Sequence, residues 1–253
     1  GWIRGMAEDA SKSAAAGAIA SGWAENEPKA AARWVAELPP GPVREKAARA
    51  LIDTWSGTAP SAAAEWALAR AEFSGNTGLL RHAVTQLTAH STDKAERFVR
   101  EIADTRHGDS ASEALAAAWV RHDPEGLAAY LANPKNEGIL GDPRHARLLA
   151  DEWSRTDSVA ASQWLSQLPE GPRRDQAIAG FAETMVDFDP SAAAAWSHTI
   201  GDAETRVRWL RRSVGQWAAR RPQEAGEWLE AADLAPDIRR SLAEVARRAG
   251  ERQ

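Results

Sequence analysis

Cysteine is missing altogether from this chain of 253 residues. Its absence excludes disulfides, thiolate metal ligands and a cysteine nucleophile, and it fits either redox compartment. Large aliphatic and aromatic residues are scarce as well. Leu, Ile, Val and Phe together number 40, about 16% of the chain, and tyrosine occurs once. So little bulk would signal disorder if net charge were high. It is only −5, from 31 basic and 36 acidic residues. No run of 18 apolar residues occurs, so no membrane-spanning helix is expected, and no N-terminal stretch has the pattern of a signal peptide. A mildly acidic balance argues against nucleic acid as the main partner, because phosphate binding needs a basic surface. Lysine is rare too, with five against 26 arginines.

What fills the gap is alanine, at 55 positions, and tryptophan, at 12. Small residues let helices approach closely and indole rings fill the space between them. The tryptophans keep a register. Anchors stand at Trp23, Trp55, Leu87, Trp119, Trp153, Met185 and Trp217, with steps of 32, 32, 32, 34, 32 and 32 residues. Eleven residues past each anchor come Trp34, Trp66, Phe98, Tyr130, Trp164, Trp196 and Trp228, all aromatic in a chain that is 7% aromatic. Eight past each come Ala31, Ala63, Ala95, Leu127, Ala161, Ala193 and Ala225. Self-similarity at such a period marks stacked repeats. The two extra residues of the fourth repeat fall between Tyr130 and Trp153, around Asn133-Pro134-Lys135-Asn136-Glu137-Gly138. That segment reads as a loop over 134–142, either a hinge or, on the favoured reading, a tolerated surface insertion.

Each repeat reads as two short helices. In the first, Pro28 can open a helix at its first position. Ala31, Trp34, Val35 and Leu38 then follow helical spacing, and Pro39-Pro40-Gly41-Pro42 stops it. The second helix carries Ala47, Ala48, Leu51, Ile52 and Trp55 on one face. Like faces precede Trp23 (Ala15, Ala16, Ile19, Ala20) and Trp217 (Trp209, Leu210, Ser213, Val214). Asp123 and Asp189, each before a proline, read as N-caps. Trp2 lies off the register and reads as a cap on the first helix. Such hairpins cannot stand alone, but stacking buries a continuous core. The expected fold is all-α: a right-handed or gently curved α-solenoid of about seven 32-residue hairpins plus a leading lone helix, about fifteen helices, forming a single domain over residues 1–253.

The pattern Trp-x4-Pro-x2-Ala-x2-Trp-x3-Leu-Pro-x-Gly-Pro-x-Arg, from Trp23 to Arg44 and nearly again from Trp153 to Arg174, resembles tetratricopeptide-like helical-hairpin repeats. It is most similar to the Trp-rich Asp-Pro/Ala-Ala-x-Trp/Leu-Pro-x-Gly tandem repeats of bacterial proteins. The resemblance runs over residues 23–249. It departs from true tetratricopeptide repeats in its period of 32 rather than 34 and in a first helix cut short by Leu-Pro-x-Gly. The resemblance implies a concave face that binds a protein or peptide, and it carries over no catalytic residue. The compartment stays open between bacterial cytoplasm and cell envelope, and the oligomeric state stays open too.

The remaining chemistry is sparse. The register aromatics could stack sugars or bases, but a residue needed in every repeat reads as core. Arg44, Arg174 and Arg206 stand 21 past their anchors; they are either an anion ladder or, as favoured, partners for a neighbouring carboxylate or helix-end carbonyl. Arg206, Arg208, Arg211, Arg212, Arg220 and Arg221 form a basic cluster, a solvated face or an anion and nucleic-acid contact. Six scattered histidines have no ligand spacing, so no metal or other cofactor is expected. A closed α/α-toroid enzyme of glycosidase or cyclase type is the alternative architecture, with Asp187 and Asp189 as its nearest carboxylate pair. The preferred expectation is a non-enzymatic protein- or peptide-binding scaffold. If first helices line the binding face, positions 6, 10 and 13 past each anchor point into it, and Arg97, Arg100, Gln163, Ser166 and His198 are the candidate binding residues.

Overall fold

Nine of the thirteen prolines begin a helix. Proline suits that position because its fixed φ is helical and the N–H it lacks would have no partner there. The computed structural model describes residues 10–133 and 136–251; Trp2, Pro134 and Lys135 lie outside the described residues. Sixteen helices and no strand occur among them. A leading helix α1 (Ala10–Ala24) is followed by the hairpins α2 (Pro28–Glu37) and α3 (Pro42–Ser56), α4 (Pro60–Ser74) and α5 (Gly78–His90), and α6 (Thr92–Glu101) and α7 (Gly108–His122). Next come α8 (Pro124–Ala132), a single turn α9 (Glu137–Leu140) and α10 (Pro143–Thr156), which make the fourth hairpin. The last three are α11 (Ser158–Gln167) with α12 (Pro172–Phe188), α13 (Pro190–His198) with α14 (Ala203–Arg220), and α15 (Pro222–Ala231) with α16 (Pro236–Gly250).

The chain forms two compact units, Gly1–His122 and Asp123–Gln253. In the first, α1, α3, α5 and α7 pack in sequence, each second helix against the next; in the second, α10, α12, α14 and α16 do the same. Each first helix leans on the second helices beside it. This is the helical-hairpin solenoid arrangement. The sixteenth helix is α9. The segment expected as a bare loop carries Ile139 and Leu140, 6% and 1% exposed, and burying two apolar side chains closes a helical turn there.

The core follows the register. All seven residues eight past an anchor are 0% exposed. Ala47, Ala48, Leu51, Ile52 and Trp55 on α3, and Trp209, Leu210, Ser213 and Val214 on α14, are buried too. On α1 the expected face is only half realised: Ala16 and Ala20 are buried, whereas Ile19 and Trp23 are each 38% exposed. Trp23 is covered on one side only, by Trp34 of α2. At several anchors the indole meets the aromatic eleven residues on. Ring centroids lie 6.3 Å apart for Trp23–Trp34, 6.3 Å for Trp153–Trp164 and 5.9 Å for Trp217–Trp228, all tilted. Where Met185 replaces the anchor tryptophan, Phe181, one turn earlier on α12, meets Trp196 edge-on at 6.0 Å. Offset and edge contacts of this kind suit the quadrupoles of the rings.

Two glycines make the sharp entry into α3 and α12. Gly41 and Gly171 have φ of +137° and +140° with extended ψ. Only glycine occupies that region without strain. The Leu-Pro-x-Gly-Pro spelling thus ends one helix and starts the next through the same backbone conformation in both units.

Candidate functional site

The first-helix face is built by the helix period. Residues eight and twelve past an anchor turn inward, and those six and ten past turn outward. The residues ten past are Arg33, Glu65, Arg97, Ala129, Gln163, Ala195 and Glu227, and every one is exposed. Arg97 and Arg100 lie on α6 in the first unit. Arg97 donates through Nε to the Asp93 carbonyl at 3.3 Å, and Arg100 pairs with Glu96 one turn back. Gln163 and Ser166 lie on α11 in the second unit, both exposed, with the Ser166 hydroxyl donating to the Gln163 carbonyl at 2.6 Å. His198 ends α13 in the same unit. It is half-buried and packs edge-on against Trp228 of the next hairpin, centroids 6.2 Å apart. Its Nδ1 is buried with no hydrogen-bond partner among the described residues. Of the five candidates it is the one built into the seam between hairpins.

Two of the three register arginines, Arg174 and Arg206, act on helix ends, whereas the Arg44 side chain makes no such contact among the described residues. Arg174 donates to the Thr199 carbonyl at 2.9 Å and to its hydroxyl at 3.2 Å, just beyond α13. Arg206 reaches the Ile200 carbonyl at 2.8 Å. Beside Arg174, Asp175 is 9% exposed and accepts from the backbone N–H groups of Gly201 at 2.8 Å and Asp202 at 2.9 Å. Arg173 donates to the Leu131 carbonyl, Arg220 to that of Asp187 and Arg239 to that of Ala232, each at 2.8 Å. The last carbonyls of a helix have no intrahelical donor and sit at its negative end, so guanidinium groups satisfy them twice over.

The basic cluster on α14 is engaged throughout. Arg212 and, from α10, Arg147 lie over the Trp209 ring at 5.3 and 5.8 Å. Arg208 donates to Thr205, Arg211 to Ser241, and Arg221 pairs with Glu224 at 3.3 Å. Asp189 caps α13, accepting from the Ala192 N–H at 3.1 Å. Burial pushes its pKa up, but the Ser191 hydroxyl and the backbone donors of Ala192 and Ser191 outweigh this and hold it below the usual carboxylate value. Asp123 caps α8 in the same way. The Asp187 side chain is exposed. His145 is 4% exposed; burial drives its pKa down, against the pull of Asp142. Among the described residues no three His, Asp or Glu side chains gather as a metal site requires, and no helix is long and apolar enough to cross a membrane.

One basic surface is not evident from the charge runs. Arg49, Arg81, His82 and Arg121 line a shallow groove on the second-helix side of the first unit. His82 is held by Asp53 at 2.6 Å. Arg49 and Arg81 both stand 26 past their anchors, which is the signal that the register offered for them. Comparison of the chain with protein-family models, curated proteins and solved structures found no match.

Proposed function

We propose that this chain is a non-enzymatic scaffold of tetratricopeptide-like tandem hairpins that binds a protein or peptide through its first-helix faces. One observation carries the reading. Seven first helices bury the same position eight past the anchor completely, while the position ten past is exposed in all seven and changes from Arg to Glu, Ala and Gln. A uniform frame that displays a varied outer row suits recognition of an extended or helical segment, because specificity can then be written without disturbing the core. Stable recognition needs about 800 Å² on each partner, an area that several adjacent helices supply without a deep cavity. Arg97 and Arg100 would contact acidic residues of the partner. Gln163 and Ser166 would offer uncharged hydrogen bonds, and His198 would contribute from its half-buried place against Trp228.

The test is a display selection of peptides on the purified chain, followed by hydrogen exchange of the complex. Protection of α6 or α11 is expected, with at least tenfold weaker binding and a smaller salt dependence after Arg97→Glu and Arg100→Glu if the selected peptides are acidic. Selected peptides that protect only the second helices would overturn the assignment of the face.

A further inference from the structure

In the second unit, Arg174 and Asp175 fasten one hairpin to the next through the backbone that follows α13. Their register counterparts in the first hairpin are Arg44 and Glu45. The acceptors and donors that would answer them are at positions 69, 71 and 72. There, however, the first helix does not stop. Arg70 and Ala71 stand where Leu38-Pro39 and Leu168-Pro169 end other first helices, and α4 continues to Ser74. Its backbone groups at 69, 71 and 72 belong to a helix rather than to a connecting turn. The side chains of Arg44 and Glu45 are left with no hydrogen bond or ion pair among the described residues.

The unmade fastening leaves a cleft of about 150 Å³ with walls from α2, α3, α4 and α5. Val35, Trp66, Phe73 and Leu79 make its apolar lining, and Arg44, Arg70 and Glu45 are its charged members. The extra turns of α4 supply two of these. Phe73 is 83% exposed, the largest exposure of any bulky apolar residue described. The Arg70 guanidinium lies 5.7 Å from the centre of the Phe73 ring, and its Nε is buried with no hydrogen-bond partner.

We propose that this cleft binds a small monocarboxylate carried on a single-ring apolar body. The volume is that of an apolar cavity which takes one benzene ring. Trp66 and Phe73 offer ring faces and edges to such a body. Two guanidiniums against the one carboxylate of Glu45 leave the lining one positive charge in excess, which a monoanion balances. Guanidinium meets carboxylate through paired, charge-assisted hydrogen bonds, and the Arg44 guanidinium, on the wall of the cleft, holds no acceptor among the described residues. The same chemistry occurs at a polypeptide end whose last residue is phenylalanine. The walls on four helices favour the free acid, which leaves no chain to be led out.

The experiment is a calorimetric titration of the whole chain with 3-phenylpropionate, 3-phenylpropanamide and N-acetyl-Gly-Gly-Phe. The acid is expected to bind, and the amide at least tenfold more weakly. Arg44→Gln should bring the acid to the level of the amide and leave the amide unchanged, while Phe73→Ala should weaken both. Arg44 holds no other group, so its replacement leaves the fold intact, and the comparison of acid with amide needs no variant at all. Equal affinity for acid and amide, or an acid indifferent to Arg44→Gln, would overturn the proposal. Binding of the peptide without binding of 3-phenylpropionate would overturn it as well and assign the cleft to chain ends.

Discussion

Trp164 shows what a single register residue contributes. Its ring is 7% exposed and tilted against Trp153, so Trp164→Ala should cost about 3–5 kcal/mol in a denaturant titration, the range for a buried large aromatic. Its Nε1 is buried without a partner, so Trp164→Phe discards an unpaired donor along with some volume and should cost clearly less. Ser166, two residues on and exposed, should tolerate alanine within about 0.5 kcal/mol. His145 brings a pH dependence. Burial holds its folded pKa below the usual 6.5, so the unfolded chain takes up the proton first. Stability is complete above about pH 6.5 and declines as pH falls from there toward the folded value. His145→Gln should flatten that part of a stability profile. The aromatic register was legible because every repeat needs it. The burial of His145 was not, since nothing in its spacing separates it from the other five histidines.

Among the helices, the contrast between α4 and α13 matters most. Both begin with proline and present the same inward positions, yet α13 ends at His198 and frees the backbone that Asp175 binds. Asp175→Ala would leave the Gly201 and Asp202 N–H groups unpaired and should cost about 1–3 kcal/mol. Faster hydrogen exchange at those two amides is the direct readout. Helix starts were legible from proline and from the Asp caps. The place where α4 stops was not. Its Gly75 adopts a left-handed φ of +72° after the helix has run past the usual stop, and only the missing Leu-Pro at 70 and 71 hinted at it. The turn α9 escaped for another reason: four residues are too few to display a period, and Ile139 and Leu140 are helical because they are covered.

For the whole molecule, each compact unit holds a core of its own, around Leu51 and Ala63 in one and around Leu210 and Val214 in the other. Stability built from local packing need not be lost in one step. Gly41→Ala and Gly171→Ala place a side chain where φ is near +140°, each at a cost of about 1–3 kcal/mol. Each should lower the melting of its own unit more than that of the other. Amide exchange followed by mass spectrometry on heating would show this, and a uniform loss over both units would contradict it. The all-helical hairpin architecture followed from sequence alone because a 32-residue register repeats one solution many times. A binding face does not repeat, so the register identifies outward positions without saying which of them a partner uses.

The helix ends are held by guanidinium rather than by amine, and that choice governs behaviour in alkali. Arginine keeps its charge far beyond the pH at which lysine gives up its proton. The contacts of Arg174, Arg206, Arg220 and Arg239 with carbonyl oxygens should therefore persist through mild base. Reagents that acylate amines will find few targets and leave the hairpins fastened. A dicarbonyl that condenses with guanidinium should unfasten the same ends at neutral pH.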